Sequence, residues 1–238
     1  MAHSLFISDL HLDLARPAAI SALASFLEQH TDCDALYILG DLFEAWIGDD
    51  DDAELATRVA GLLTAFSAAG PALYLMQGNR DFLLGEHFSE RVGARLLADP
   101  TKIDLYGSPA LLMHGDSLCT GDTEYQAFRR QARDPHWQQQ LLAQPLAERR
   151  ALASKLRSMS KEANSNKAED IMDVTPSEVE RAMAEAAVGV LIHGHTHRPA
   201  RHAHDAGVRW VLGDWDTSGW YLRADSKAIE LIDFDIIQ

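Results

Sequence analysis

Through the first half of the chain, short apolar runs alternate with longer stretches whose apolar positions recur every three or four residues. SLFIS (4–8), ALYILG (35–40), ALYLMQG (72–78) and ALLMHG (110–115) are too short for helices and end in polar clusters, which predicts buried strands. Between the first two, PAAISALASFLEQH (17–30) places Ile20, Leu23 and Leu27 on one helical face, and Pro17 suits a first turn. DDAELATRVAGLLTAFSAAG (51–70) repeats that period, with acids at its start and Gly70 at its end. Strands alternating with helices predict an α/β layered sheet. From VGVLIHG (188–194) onward the pattern changes to VRWVLGDW, GWYLRAD and AIELIDF with turn-like gaps, which predicts antiparallel strands.

Residues 121–170 fit neither pattern. They favour helix throughout and are interrupted by Pro135 and Pro145, so they read as a helical insertion between two strands. Charge sets the same segment apart. It holds nine of the 21 Lys and Arg but seven of the 36 Asp and Glu, leaving it at +2 in a chain whose net charge is −15. The acidic remainder repels nucleic acid, while the basic segment suits an anionic ligand or lipid surface, or is a solvated helix face. At 238 residues the chain fits one domain with one appendage. No run approaches the ~18 to 20 apolar residues of a membrane span, and MAHSLFISDLHLD lacks the basic start and apolar core of a signal peptide. The expectation is a soluble, cytoplasmic protein. Cys33 and Cys119, far apart and in no metal-ligand spacing, read as reduced, buried thiols.

The strand ends carry the chemistry. SLFIS is followed by Asp9 and His11, YILG by Asp41, LMQG by Asn79, LLM by His114, and VLIHG by His195 and His197. In an α/β sheet such ends converge on one edge. The two-residue spacing of Asp9 with His11, and of His195 with His197, predicts that each pair points the same way from extended backbone. Carboxylate, imidazole and amide oxygen without thiolate favour Mn, Fe or Zn over calcium. Seven ligands are too many for one ion and suit two ions sharing a carboxylate.

DxH, GD, GN, HGD and GHTH in this order, each closing an apolar run, resemble the calcineurin-like metallophosphoesterase superfamily over the whole chain, 1–238, less the insertion. The resemblance implies an α/β sandwich of two β-sheets flanked by helices, with 121–170 as a helical cap inserted in it. It implies that Asp9, His11, Asp41 and His197 hold one ion and Asp41, Asn79, His114 and His195 the other. Two ions ~3.5 to 4 Å apart can acidify a bridging water that attacks phosphorus in line. Hydrolysis of a phosphate ester or anhydride is the implied reaction class.

Many members of the superfamily follow GN with a histidine that protonates an alkoxide leaving group; here Arg80 stands in its place. A guanidinium cannot surrender a proton, but it can hold a second phosphoryl group through two contacts. A departing phosphate needs no proton, so Arg80 points to anhydride cleavage, the alternative being a loop salt bridge to Asp81.

With GNRDF, GDLFEAWIGDD and HGDSLCTGD, the chain further resembles the pyrophosphohydrolase family of lipid A biosynthesis. That resemblance implies an acylated UDP-sugar substrate, two manganese ions per chain, and a peripheral place on the anionic cytoplasmic face of the inner membrane; no protein partner is implied. It assigns catalytic roles to Asp41, Asn79, Arg80 and His195. Its substrate contacts map onto Asn79, Arg80, Asp122, Ser160, Asn164, Lys167 and His195, of which Asp122 alone reads as a helix N-cap and Ser160, Asn164 and Lys167 as one polar helix face. In the insertion, Trp137, Leu141, Leu142, Leu146, Leu152, Leu156 and Met159 are expected to line an acyl groove or to glue helices to the domain, and Arg149, Arg150, Arg157 and Lys161 to meet lipid headgroups. Trp46 is expected to flank the site, and His193, Asp81 and Asp116 to orient ligands. The alternative activity is a dimetal nucleotide pyrophosphatase or phosphodiesterase with a water-soluble substrate; a non-catalytic scaffold has no need of seven ligands.

Overall fold

Alternation within each apolar run decides the layering. In β1 (Ser4–Ile7), Leu5 and Ile7 face helices while Phe6 faces a second sheet, so every position is buried and the run reads as continuous. The structure, a computed structural model, describes residues 2–165 and 173–237, and of residues 160–165 only the backbone.

β2 (Ala35–Leu39), β3 (Ala72–Met76) and β4 (Ala94–Leu97) continue in parallel beside β1. On their outer face pack α1 (Pro17–Gln29), α2 (Glu54–Ala68) and α3 (Glu86–Arg91). α1 starts at Pro17 and buries Ile20, Leu23 and Leu27 together with Phe26. Each such fully buried side chain contributes about 1.5–3 kcal/mol.

The second sheet contains β5 (Thr101–Leu105), β6 (Ser108–Leu112), β7 (Val190–His193), β8 (Ala200–His204) and β9 (Gly207–Val211), in the order β5-β6-β7-β9-β8. β10 (Ser218–Ala224) and β11 (Ile229–Asp235) return to the first sheet, whose order is β11-β10-β1-β2-β3-β4. Phe6, Leu39, Met76, Leu112, Ile192 and Leu212 fill the space between the sheets.

One expectation is corrected here. The strands from residue 188 onward are not uniformly antiparallel: β7 runs parallel to both β6 and β9. The reason is β8, a polar edge strand whose ARHAH sequence hides its pairing. It forms the outer arm of a hairpin with β9, so the chain reverses twice and β9 lies beside β7 in the same direction. β1, β2 and β3 run parallel in one sheet and β6 and β7 in the other, and the residues that follow all five meet at one edge.

Between β6 and β7 run α4 (Thr123–Ala132), α5 (Pro135–Leu142), α6 (Leu146–Ser165) and α7 (Pro176–Ala186). Pro135 opens α5, and Asp122 and Asp134 cap α4 and α5 by accepting from the amides of Tyr125 and Trp137 at 3.0 and 2.8 Å. Val179 and Met183 of α7 close the second sheet's outer face.

The insertion's arginines face the acidic body. Arg149 pairs with Asp50, Arg150 with Asp51 and Asp52, and Arg157 with Asp13 and Glu44. Arg133 donates to the carbonyls of Gln77 and Gly78, both at 3.1 Å, and Arg129 to Asp116 at 2.9 Å. Arg149, Arg150 and Arg157, expected to be available for lipid headgroups, are thus engaged in seating the helices; the side chain of Lys161 lies outside the described residues. The charge contrast between segment and remainder is complementarity within one chain. Among the described residues, no helix is long and apolar enough to cross a membrane.

Candidate active site

The polypeptide leaves its strands at the shared edge in a conformation that side chains rarely adopt. Asp9, His11, Asp41, His195 and His197 all have φ between 48° and 67°, in the left-handed region. Each such residue costs on the order of 1 kcal/mol or more, so surrounding contacts must fix it. Those contacts continue the strand ladders past the strand ends: Asp9 N donates to Gly40 O at 3.1 Å, His11 N to Asp41 O at 3.0 Å, and Gly194 N to His114 O at 2.9 Å. The expectation that each spaced pair projects from extended backbone is therefore corrected. Both pairs sit on left-handed turns beyond the strand ends.

Two glycines make the packing possible. A Cβ on Gly194 would overlap Ser8 Oγ and Asp9 Oδ2, and one on Gly78 would overlap Asp41 Oδ1. The GH and GN dipeptides are thus set by the closeness of neighbouring loops.

The seven expected ligands come together. His11 Nε2 and His197 Nε2 are 3.1 Å apart. Asn79 Oδ1 lies 2.8 Å from both His114 Nε2 and His195 Nδ1. Asp41 Oδ2 is 3.9 Å from His11 Nε2 and 3.8 Å from His114 Nε2, reaching both groups. Asp9 also belongs to both: Asp9, His11 and His197, and Asp9, Asp41 and His114, present donor atoms all within 4.8 Å of one another. Asp9 Oδ1 is buried, and its one near neighbour, His197 Nε2 at 3.5 Å, is too far and poorly aligned for a good hydrogen bond. An orphaned carboxylate oxygen aimed among imidazole nitrogens and an amide oxygen fits a site for divalent cations.

Electrostatics agree with an anionic cradle. Burial pushes the Asp9 carboxyl up, yet the close approach and charge of His197, with His114 and His11, hold it far below the usual range. Burial alone would lower His114, but the carboxylates of Asp41, Asp116 and Asp9 hold it up at about 9. His197, 38% exposed, is held at about 8 against its burial by Asp9 and Asp214. His195 is pushed down to about 4 by burial and by the charge of His114.

The surrounding expectations divide. Asp81 is buried and accepts from the amides of Gly78 at 2.7 Å, Leu42 at 2.8 Å and Asp41 at 3.2 Å, which folds the Asp41 and Asn79 loops together. It is not a partner for Arg80, whose guanidinium forms no ion pair among the described residues and lines a groove beside Asn79. His193 donates from Nδ1 to Gly194 O at 2.8 Å, and burial with the Arg209 charge pushes it down to about 3. Asp116 accepts from Tyr125 Oη at 2.6 Å and from Arg129. Asp122 caps α4 and lines the groove, whereas Lys167 and the side chains of Ser160 and Asn164 lie outside the described residues.

The groove has a volume of about 310 Å³. Trp46, Phe82 and Phe128 line it with Leu152, Leu156 and Met159 of α6, and Arg80 and Asn79 are also in its wall. Trp137, Leu141 and Leu152 also pack on the domain core, so the apolar residues of the insertion both glue and line. Leu142 and Met159 remain 40% and 55% exposed. Two neighbours of the cluster were not singled out by the sequence. Tyr125 stacks on His195 with centroids 5.8 Å apart, and Glu44 approaches His11. The cap aspartate of TGDTEY and the acid three residues after Asp41 in GDLFE are the only local signals for them.

Residues 3–199 match the family described as Calcineurin-like phosphoesterase. The chain is 58% identical over 239 residues to the UDP-2,3-diacylglucosamine hydrolase of Cellvibrio japonicus, covering 98% of this chain and 100% of that one. It is 53% identical to the protein of that name from Marinobacter nauticus, with 94% of each chain covered. An archaeal phosphodiesterase structure superposes with a TM-score of 0.52 at 13% identity, covering 98% of this chain and 99% of that one. A hypothetical protein of Pyrococcus horikoshii gives 0.53 at 10% identity over 99% of this chain and 88% of its own. These two share the fold alone. With its two mixed sheets between helices and its histidine–carboxylate cluster at their common edge, the chain belongs to the calcineurin-like phosphoesterase family.

Proposed function

We propose that this chain hydrolyses the pyrophosphate bond of UDP-2,3-diacylglucosamine, giving UMP and 2,3-diacylglucosamine 1-phosphate in lipid A biosynthesis. The observation that carries the reading is one continuous site. A groove lined by apolar side chains also has Asn79 and Arg80 in its wall, and Asn79 is itself one of the seven convergent oxygen and nitrogen donors. Acyl chains suit the apolar lining and a diphosphate suits the part of the wall beside the donors. Relatives at 58% and 53% identity carry the name of that hydrolase, which supports the same substrate.

Asp9, His11, Asp41 and His197 on one side, and Asp41, Asn79, His114 and His195 on the other, would hold two divalent cations, manganese in our reading. Bound there, such ions supply a more acidic water and neutralise phosphoryl oxygens. The chain's own residues orient the substrate. Arg80, free of any ion pair among the described residues, would hold the second phosphoryl group and charge growing on the bridging oxygen. Asp41 accepts from the backbone amide of Arg80 at 2.7 Å, so the backbone that bears the guanidinium and the carboxylate shared by both ion positions are tied to one another. Asp122, Ser160, Asn164 and Lys167 complete the proposed sugar and phosphate contacts. The substrate reaches the groove from the cytoplasmic face of the inner membrane, which the protein visits peripherally.

Product analysis by mass spectrometry, with purified protein, manganese and the acylated UDP-sugar in detergent, tests this. UMP and the lipid 1-phosphate are expected. Faster turnover of UDP-glucose or a dinucleoside polyphosphate would favour a water-soluble substrate instead.

A further inference from the structure

Glu44 stands between the candidate metal cluster and the inserted helices. Its Oε2 lies 3.1 Å from His11 Nδ1, the ring nitrogen opposite the one directed at His197 and Asp41. Its Oε1 lies 3.0 Å from Arg157 Nε on α6, and Arg157 also donates to Asp13 Oδ2 at 3.1 Å. His11 Nδ1 is buried with no aligned acceptor: the carboxylate is at ion-pair distance, off the direction of the N–H. Among the described residues, no other carboxylate is within ion-pair distance of that nitrogen.

An imidazole that offers the lone pair of Nε2 to a cation keeps its proton on Nδ1, and that proton needs an acceptor. A modest turn of either group makes Glu44 that acceptor. The carboxylate cannot turn freely, because Arg157 grips its second oxygen, and Arg157 belongs to the inserted helices rather than to the sandwich.

We propose that Glu44 is a positioning residue that sets the tautomer and ring direction of His11 and, gripped by Arg157, makes cation affinity depend on the seating of α6. The reciprocal follows by linkage: loading the cluster tightens the seating of α6 over the groove. This rests on the reading of His11 as a metal ligand, and the test separates the two.

The full-length protein, stripped of metal, is titrated with manganese while free ion is followed by electron paramagnetic resonance. Melting of the metal-free protein is recorded in parallel. Glu44→Ala is expected to weaken one of two binding steps about 10- to 100-fold and to leave metal-free melting unchanged. Glu44→Gln keeps an oxygen that can accept from Nδ1 and is expected to recover most of that loss. Arg157→Ala should weaken the same step by a smaller factor, with little further effect when added to Glu44→Ala. Wild-type affinity in Glu44→Ala, or a Gln variant as weak as the Ala variant, overturns the positioning role; equal and additive effects of Arg157→Ala overturn the link to α6. A wild-type protein that binds no manganese, or His11→Ala that binds it unimpaired, would instead sink the reading of the cluster.

Discussion

Arg149 and Asp50 form a two-pronged ion pair, Nη1 to Oδ1 at 2.7 Å and Nη2 to Oδ2 at 2.5 Å, in which the guanidinium is 3% exposed and the carboxylate 61%. The arginine also donates to the carbonyls of Ile47 at 2.6 Å and Gln144 at 2.9 Å. Burial is therefore one-sided: the cation is enclosed by acceptors while its partner stays wet. The two ends of the pair should respond differently to mutation.

Arg149→Ala removes four donated bonds and leaves the buried carbonyl of Ile47 unmet, so it should cost roughly 1–3 kcal/mol. Asp50→Asn should cost below about 1 kcal/mol, because water replaces an exposed carboxylate. Urea denaturation of both variants checks the asymmetry. Equal losses would mean that the ion pair, rather than the carbonyl contacts, holds the helices down.

Arg80→Ala should lower kcat for pyrophosphate hydrolysis about 10²-fold or more, as loss of a cation facing developing charge does. Manganese content should stay unchanged, since the side chain is not among the convergent donors. Arg80→Lys keeps the charge but loses the paired geometry and should recover only part of the rate. Activity assays with metal analysis on the same samples give the answer, and undiminished activity in Arg80→Ala refutes the role.

Proton release should accompany metal loading. In the metal-free protein His114 titrates near 9 and His197 near 8, both raised, so each is protonated below those values and must lose its proton before ligating. Manganese affinity should therefore rise with pH from 6 to about 9 and level off above it. Calorimetric titrations at pH 7 in buffers of different ionisation heat should differ in apparent enthalpy by an amount approaching two protons. Buffer-independent heats would contradict the protonated state of these rings.

Asp81→Ala should disable the site without touching a donor atom. It strands the amides of Gly78, Leu42 and Asp41 in a buried place, at about 1–3 kcal/mol each. The loops bearing Asp41 and Asn79 lose their common anchor. Lower melting temperature together with weakened manganese binding is the expected pair of results, measured by calorimetry and metal titration. A variant that binds manganese normally would show the anchor to be dispensable.

Apolar periodicity and strand-end chemistry, both local properties, made the α/β class, the helical insertion and the seven donors legible in the sequence. A short continuous apolar run closed by polar residues marks a buried strand, and β1, β2 and β3 are such runs. A polar edge strand carries no such signal, which is why β8 and the parallel pairing of β7 with β9 were hidden. Tertiary structure alone decided the rest. The left-handed turns at Asp9, His11, Asp41, His195 and His197 are tolerated only because neighbouring loops hold them. Arg149 meets Asp50 across 99 residues of chain, and Arg157 of the same helix meets Glu44 in the loop after β2, so no window of sequence contains both partners. The sequence determined which atoms could bind and react; folding decided which of them face one another, because a contact's energy depends on proximity in space and not along the chain.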